Sequence, residues 1–183
     1  GGIGVQEDDN AAMRWYRAAA EQGHADAQFS LGYMYYSGLG VKEDAEEGYR
    51  WYLAAAEQGL AMAQYNLGYC YENGVGVQED DNAAVRWYLM AAEQGEARAQ
   101  YNLGYCYYNG IGVQEDYNAA ARWYRAAAEQ GLAMAQYNLG RCYYHGVGVQ
   151  EDDTAAVRWY RAAAEQGLAM AQYSLGQCYR MGA

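Results

Sequence analysis

Apolar residues recur along this chain with the spacing of amphipathic helices separated by short polar loops. Between Ala61 and Asn73 the pattern predicts a first helix, and Gly74 follows where a helix end commonly needs a left-handed residue. After a glycine-rich loop, Asp80 begins a second helix, because its carboxylate can cap free backbone N–H groups and face the positive helix end. The second helix ends near Gly95 and carries one apolar stripe: Ala83, Ala84, Trp87, Tyr88, Ala91 and Ala92. Two such helices predict an αα-hairpin.

The hairpin pattern recurs every 36 residues, five times in all. The segment Ala-Ala-Glu-Gln-Gly ends at Gly23, Gly59, Gly95, Gly131 and Gly167. The tryptophans keep the same step, at Trp15, Trp51, Trp87, Trp123 and Trp159. A fixed period of this size is typical of stacked repeats, in which each unit buries its apolar face against its neighbours. We therefore predict an all-α solenoid, with residues 1–183 forming one array of about five helix pairs.

Side-chain sizes indicate how the hairpins pack. Trp87 and Tyr88 are large, whereas Ala63 and Gly68 on the first helix are small. A glycine inside a helix costs about 1 kcal/mol relative to alanine, so Gly68 and its equivalents need a compensating gain. We predict close helix approach with an aromatic ring over the glycine, and we assign the Trp–Tyr pairs to the core. The alternative is an aromatic cage for a ligand.

Charge excludes some partners. The formal net charge of −11 argues against a nucleic acid or an anionic membrane surface as the main partner, since both need a basic surface. No apolar run approaches the roughly 20 residues that cross a bilayer, so membrane insertion is not expected. No signal peptide is visible, and the chain starts at Gly1 like an excised segment.

The cysteines share one repeat position: Cys70, Cys106, Cys142 and Cys178. Equivalent positions on neighbouring helices lie roughly 8–10 Å or more apart, whereas a disulfide needs Cα atoms within about 7 Å. We predict free, packed thiols rather than disulfides or metal ligands. Unpaired cysteines favour a reducing compartment such as the cytoplasm.

The combined unit A-x-A-Q-x-x-L-G-x-x-Y-x-x-G-x-G-V-x-E-D, followed by A-x-x-R-W-Y-x-x-A-A-E-Q-G, resembles the Sel1-like repeat. In one copy the resemblance is carried by Ala61, Ala63, Leu67, Gly68, Tyr71, Gly74, Gly76, Val77, Asp80, Trp87, Tyr88, Ala91, Ala92 and Gly95. It implies a right-handed superhelix of αα-hairpins, related to tetratricopeptide arrays, that acts as an adaptor or scaffold, often in bacteria.

The chain departs from that family's pattern at two places. The lysine that often precedes the Ala-Ala-Glu element is replaced at Ala18, Ala54, Met90, Ala126 and Ala162. Some secreted bacterial members carry two cysteines per repeat that bridge the hairpin, whereas this chain has at most one. The resemblance therefore does not extend to the disulfide-stapled subtype.

The array is cut in an unusual phase. It begins with the loop Gly2-Ile3-Gly4-Val5 and a second helix, and it ends with a first helix from Ala169 to Met181. Terminal repeats normally present a polar outer face, which neither end does here. We expect a fragment of a longer repeat protein, open at both ends. End-to-end self-stacking and an engineered or consensus-like array are the alternatives.

Variation between copies points to the binding surface, because positions that differ are free of the shared packing demand. One face of the first helix, spaced by four, three and four, holds most of this variation, for example Met62, Asn66, Tyr69 and Asn73. If the first helices line the concave side, this ladder forms a groove floor for a protein or peptide. The residues we predict to bind the partner are Tyr33, Tyr69, Arg98, Asn102, Tyr105, Asn109, Asn138, Arg141 and His145. The alternative is a solvated helix face.

Two further sets have structural interpretations. Tyr65, Tyr101, Tyr137 and Tyr173 correspond to Phe29 in the first copy, so we predict packing roles for them. The invariant arginines before each tryptophan are predicted to pair with an acidic residue of the neighbouring loop; they are Arg14, Arg50, Arg86, Arg122 and Arg158. A row of arginines that binds an acidic partner is the alternative.

Catalytic machinery is not apparent. The two histidines, His24 and His145, have no ligand set for zinc and no nucleophile with an orienting partner. The loops lack the third glycine and the lysine of a phosphate-binding loop. We therefore predict a non-enzymatic scaffold without a metal or cofactor. The resemblance leaves β-lactam binding or hydrolysis as a remote alternative, since some cysteine-rich relatives have been linked to it.

Overall fold

The computed structural model describes residues 8–182, and this part of the chain consists of helices joined by short loops, without a strand. Its ten helices are α1 Asp9–Ala20, α2 Ala25–Ser37, α3 Ala45–Glu57, α4 Ala61–Asn73, α5 Asp81–Glu93, α6 Ala97–Asn109, α7 Tyr117–Glu129, α8 Ala133–His145, α9 Asp153–Glu165 and α10 Ala169–Met181. The predicted all-α class is confirmed. The predicted loop at residues 2–5 lies outside the described residues.

Local sequence signals set the helix ends as predicted. Helix α4 spans the predicted Ala61–Asn73 and is followed by Gly74 in the left-handed region, with φ of 65°. Asp80 caps α5, since its Oδ1 accepts a hydrogen bond from the Ala83 N–H at 3.0 Å. The same cap occurs at Asp8, Asp44, Asp116 and Asp152. An acidic group here also faces the positive end of the helix dipole.

The chain divides into two compact units, Gly1–Trp87 and Tyr88–Ala183. In unit 1, α2 packs against both α1 and α3, and α3 also packs against α4. In unit 2, each of α6 to α9 packs against the next helix along the chain. Within each unit, consecutive helices are therefore neighbours, as expected of successive αα-hairpins.

The core is built from tyrosine, leucine and alanine rather than from Trp–Tyr pairs. Tyr52 and Tyr124 are each 2% exposed, whereas Trp51 is only half-buried and Trp15 is 75% exposed. The assignment to the core is wrong for Trp15, whereas Trp51, Trp87 and Trp159 are half-buried and pack against core clusters. One residue along a helix turns the side chain by about 100°. The tyrosine therefore lies at the centre of the stripe and the tryptophan at its edge. Trp51 there covers the cluster formed by α1 and α2.

An aromatic ring does lie over the helical glycine, as predicted. A Cβ atom built on Gly104 would stand 2.8 Å from Cδ1 of Tyr124, and one on Gly140 would stand 2.7 Å from Cδ1 of Tyr160. Both rings are buried, so they have little room to move. The cost of these glycines in the helix is offset by close packing of the second helix.

Replacing Gly140 by Ala is expected to lower the free energy of unfolding by about 1–3 kcal/mol, because the new methyl group overpacks the site against Tyr160. The matched control is Gly176→Ala on α10, where a Cβ would meet no atom within 4 Å. There the substitution should raise stability by about 0.5–1 kcal/mol through helix propensity. Urea unfolding followed by circular dichroism measures both, and effects of the same sign would contradict the packing interpretation.

Buried glutamines join three helices at a time, a feature that sequence analysis missed. In unit 2, the Gln136 Nε2 donates to the Ala128 carbonyl oxygen of α7 at 3.2 Å. Its Oε1 accepts from Nε2 of Gln166, beyond the end of α9, at 2.8 Å. Gln28 makes the corresponding bonds in unit 1, to Ala20 and from Gln58. Each amide thus links a first helix to the second helices on either side of it.

Candidate binding grooves

One cavity of about 180 Å³, here called the unit 1 groove, opens between α2, α3 and α4. It is lined by Tyr33, Tyr36, Tyr52, Tyr65, Asn66, Tyr69 and Cys70. Two of the predicted binding residues, Tyr33 and Tyr69, therefore line the same cavity, and they are 49% and 38% exposed. The lining is aromatic and polar and carries no side chain that is charged at neutral pH.

Two cavities of about 290 Å³ each are found among the described residues of unit 2. The first cavity is lined by Tyr101, Tyr105, Tyr108, Asn109, Tyr124, Met134, Tyr137, Asn138, Arg141 and Met170. The second cavity is lined by Tyr137, Arg141, Tyr144, His145, Tyr160, Ser174, Gln177, Cys178 and Met181. Tyr137 and Arg141 line both, so the two cavities meet at these side chains. Five predicted binding residues of unit 2 are found here: Tyr105, Asn109, Asn138, Arg141 and His145.

Two predicted binding residues lie elsewhere. Arg98 and Asn102, near the start of α6, line none of the three cavities. The Arg98 guanidinium forms an ion pair with Glu96 at 3.2 Å, next to the first turn of the helix. The same repeat positions do face cavities in other copies, since Asn66 lines the unit 1 groove and Met134, Asn138 and Met170 line the first cavity of unit 2.

Hydrogen bonds hold the groove amides in place. The Asn109 Nδ2 donates to the backbone carbonyl of Tyr105 at 2.9 Å, four residues earlier in α6. Asn138 on α8 forms a side-chain hydrogen bond with the Tyr101 hydroxyl on α6. Burial raises the pKa of Tyr101, and this hydrogen bond opposes the shift. The neutral phenol therefore remains a hydrogen-bonding group at the groove wall.

A position missed by sequence analysis also faces the grooves. Tyr36 lines the unit 1 groove, whereas Tyr108 and Tyr144 line the first and second cavities of unit 2. The other copies have Glu72 and Arg180 at this position. This position also varies between copies. A comparison of every position on the first helix, rather than of one face, would therefore have identified it.

The tyrosines assigned to packing have two functions in the fold. The Tyr101 ring packs on Tyr124 with centroids 5.9 Å apart, so the packing prediction is confirmed there, and Tyr101 also lines the first cavity. Tyr137 packs on Tyr160 at 5.8 Å in the same way. For Tyr173 the prediction was wrong, since this side chain on α10 is 69% exposed.

Arg141 brings a positive charge into the aromatic groove. Burial raises the pKa of the Cys142 thiol to about 11, and the Arg141 guanidinium acts in the opposite direction. The same charge opposes the burial-driven rise in the pKa of Tyr124 and of Tyr160, so the guanidinium is close to both walls. No ion pair joins Arg141 to a carboxylate within residues 8–182. Arg141 is an exposed residue, so a binding partner could reach its side chain.

The arginines that precede the tryptophans do not behave as predicted where their contacts are described. The Arg50 guanidinium pairs with Glu47, three residues earlier in its own helix, at 3.3 Å. The Arg158 guanidinium stacks over the neighbouring Trp159 ring at 5.0 Å from the centroid. Pairing with the neighbouring loop was therefore wrong for these two, because the i−3 and i+1 groups are nearer.

The four cysteines are buried free thiols, which confirms the predicted state. Burial raises the pKa of Cys70 from its ordinary value of 9.0 to about 12 and that of Cys142 to about 11. Within residues 8–182, no group of three His, Cys, Asp or Glu side chains is arranged to hold a metal ion. None of the helices described is long and apolar enough to cross a membrane.

Slow alkylation of the thiols is the expected result in the folded chain. Only the thiolate reacts, so a rise of three pKa units at Cys70 lowers its reactive fraction by about a thousandfold, before any steric protection. Iodoacetamide labelling at pH 8, read by peptide mass spectrometry, should modify Cys70 and Cys142 far more slowly in buffer than in concentrated urea. Equal rates in the two solvents would contradict their burial.

Comparison with known proteins shows a family match along the whole chain and several similar solved structures. The Sel1 repeat family matches residues 1–24, 25–60, 61–96, 97–132, 133–168 and 169–183. A protective antigen present in uropathogenic Escherichia coli strains, which displays an SLR fold, is 41% identical with a TM-score of 0.95. The match covers 99% of this chain and 39% of that protein. No curated protein matches the chain.

Two other solved structures illustrate the range of similarity. A Sel1 repeat protein from Oxalobacter formigenes is 40% identical with a TM-score of 0.88, over 96% of this chain and 72% of that one. Cysteine rich protein B of Helicobacter pylori is 25% identical with a TM-score of 0.58, over 74% of this chain and 97% of that one. The helical repeat fold described above is therefore shared with solved bacterial proteins.

Proposed function

This chain belongs to the Sel1 repeat family, and from that premise we propose that it is a non-enzymatic scaffold whose grooves bind a protein or peptide. Sel1 repeat proteins are generally scaffolds for protein interaction. The observation that carries the proposal is the concentration of tyrosines in the grooves, where the predicted binding residues Tyr33, Tyr69 and Tyr105 are partly exposed.

The chemistry of the grooves fits a polypeptide ligand. Tyrosine offers a large, rigid contact area and a polar hydroxyl at low conformational-entropy cost, and tyrosine, methionine and arginine are enriched at protein interfaces. Asn66 and Asn138 add amides that can bond a peptide backbone. Small cavities with these walls suit single side chains of a larger ligand rather than a compact substrate.

The same surfaces do not offer a reaction. The buried thiols have raised pKa values, so they are poor nucleophiles. His145 in the second cavity has a T-shaped contact with the Tyr144 ring, at 4.9 Å between centroids. It lacks a described carboxylate that would orient it as a general base. The groove lining therefore supports binding and gives no support to a β-lactam-hydrolysing activity.

The proposal is tested by affinity capture with a groove variant and a matched control. The groove variant carries Tyr69→Ala, Tyr105→Ala and Arg141→Glu. The control carries the same number of truncations and the same charge reversal at exposed second-helix positions outside the cavities: Tyr16→Ala, Met90→Ala and Arg122→Glu. Circular dichroism must first establish equal helicity in all three proteins.

A partner held by the parent and the control, lost by the groove variant, and then shown to bind as a purified protein supports groove recognition. If the groove variant retains every partner of the parent, the proposed groove is not the binding surface. Hydrolysis of a chromogenic β-lactam by the parent would contradict the non-enzymatic part of the proposal.

Self-association is a second candidate, favoured by the exposed face of α10. Met170, Tyr173 and Met181 on this helix are 46%, 69% and 65% exposed. Large exposed apolar side chains that lie together mark interaction surfaces. Sedimentation equilibrium over a wide concentration range tests this candidate, and a monomer mass that does not change with concentration would contradict it.

A further inference from the structure

We infer that the two unit 2 cavities together bind one extended peptide segment, with an internal Asp or Glu side chain of that segment paired to Arg141. Apolar side chains on either side of the acidic residue enter the first and second cavities. This inference rests on the proposed function and adds the chemistry of the partner. It concerns only unit 2, whose cavities are lined by residues of α6 to α10.

Charge complementarity selects the acidic group. Arg141 is the one charged side chain among those lining the first cavity, and in the second it is joined only by His145. The guanidinium acts electrostatically on Tyr124 and Tyr160, so it stands beside the aromatic walls, and Arg141 is exposed at the surface. A guanidinium binds a carboxylate through two parallel hydrogen bonds, which makes this pair stronger and more specific than a single hydrogen bond. No described carboxylate pairs with Arg141, so its guanidinium is available to a carboxylate of the ligand.

The position of Arg141 selects an internal acidic residue rather than a chain terminus. Arg141 and Tyr137 line both cavities, so a segment that fills both passes over Arg141 with chain continuing in each direction. A peptide ending in a carboxylate at Arg141 would leave one cavity empty. The flanking walls are apolar and adaptable, with Met134 and Met170 in the first cavity and Met181 in the second.

Comparison between copies shows that packing does not require this arginine. The equivalent residues are Tyr33, Tyr69, Tyr105 and Gln177. A change of Arg141 to glutamine therefore introduces a residue that the same position already carries in α10. This gives a variant that should fold normally while losing the charge.

The probe for the experiment is a library of short random peptides displayed as internal segments, so that neither peptide end is free. Selection uses the whole 183-residue chain, and the strongest sequence is then synthesised with both ends capped. Its affinity is measured by fluorescence anisotropy for the parent, Arg141→Gln and Arg122→Gln. Arg122 is an exposed arginine on α7 that lines neither cavity, so it is the matched control.

The expected result is an acidic residue between apolar residues in the selected peptides. Arg141→Gln should weaken binding by about tenfold or more, and so should the change of the acidic peptide residue to its amide. Because the two changes remove the same pair, combining them should cause little further loss. Arg122→Gln should leave the affinity unchanged.

Three results would overturn the inference, and they separate it from the proposed function. Peptides that need Tyr105 and Tyr137 but not Arg141 or an acidic residue would refute the acidic partner and leave groove binding intact. Tighter binding of the same peptide when its C-terminus is left uncapped, with no loss when its internal acidic residue is changed to the amide, would refute the internal acidic residue. Peptides whose binding survives every groove substitution, or no selected peptides at all, would count against the groove itself and thus against both proposals.

Discussion

Replacing Gly148 by Ala is expected to lower the free energy of unfolding by more than about 3 kcal/mol. Gly148 has φ of 69°, where an L-residue is strained by about 1–2 kcal/mol. A Cβ added there would also stand 1.9 Å from the backbone carbonyl oxygen of Tyr117, in the first turn of α7. A backbone atom in a helix cannot move aside as a side chain can. The loop must therefore lift away from α7 or the helix end must unwind.

The control for this prediction is Gly131→Ala. Gly131 has φ of 90° but no atom within 4 Å of an added Cβ, so only the conformational strain should appear. Urea unfolding of both variants, followed by circular dichroism, gives the midpoint and the slope of each transition. Equal losses for the two glycines would show that close approach of the loop to α7 contributes nothing.

Truncating Tyr124 to alanine is expected to cost about 3–5 kcal/mol, the range for a buried aromatic residue. Tyr124 is 2% exposed and lies in the cluster that also contains Ala120, Leu139 and Cys142. Its ring also fills the space above Gly104 and contacts Tyr101. Removal therefore leaves a cavity between helices that are held apart by their other side chains. The same urea and circular dichroism measurement checks the value.

Tyr16→Ala is the matched control, because Tyr16 occupies the same repeat position on α1 but is 40% exposed. Its loss should stay below about 1 kcal/mol, since little apolar surface returns to water. A large loss at Tyr16, or a small one at Tyr124, would contradict the assignment of the core to the tyrosines. The pair thus tests burial with residue type and repeat position held constant.

The sequence predicted those features of the fold that depend on nearby residues. The bounds of α4 and α10, the capping carboxylate of Asp80 and the left-handed Gly74 were all predicted correctly. Each follows from a side chain or backbone preference within a few residues of the helix end. Free thiols were also predicted correctly, because the repeat period alone keeps equivalent cysteines apart.

Features that depend on how helices are rotated against one another were predicted less well. Period 3.6 assigned Trp87 and Tyr88 to one stripe, yet the packing angle places the tyrosine at the centre and the tryptophan at the edge. The glutamine contacts of Gln136 and Gln166 were missed, since 30 residues separate the two partners. Surface polar residues and buried bridging amides look alike in a single sequence.

The candidate site was predicted in part for a similar reason. Variation between copies identified Tyr33, Tyr69 and Arg141 because these positions face a cavity and escape the packing constraint. It also included Arg98, which lines none of the three cavities and pairs with Glu96. The missed Tyr108 lies one turn of helix from Tyr105, so width and depth of the groove come only from the structure.

The bridging glutamines bear on how the repeats melt. Gln136 bonds both the end of α7 and the turn after α9, so loss of either neighbour breaks a hydrogen bond that links two helices. A hydrogen bond of this kind contributes about 0.5–1.5 kcal/mol to stability. A boundary between folded and unfolded hairpins therefore carries a free-energy penalty wherever it separates two helices that such a glutamine joins. Partial fraying is disfavoured, and hairpins joined by these amides should gain and lose structure together, as nearest-neighbour coupling describes.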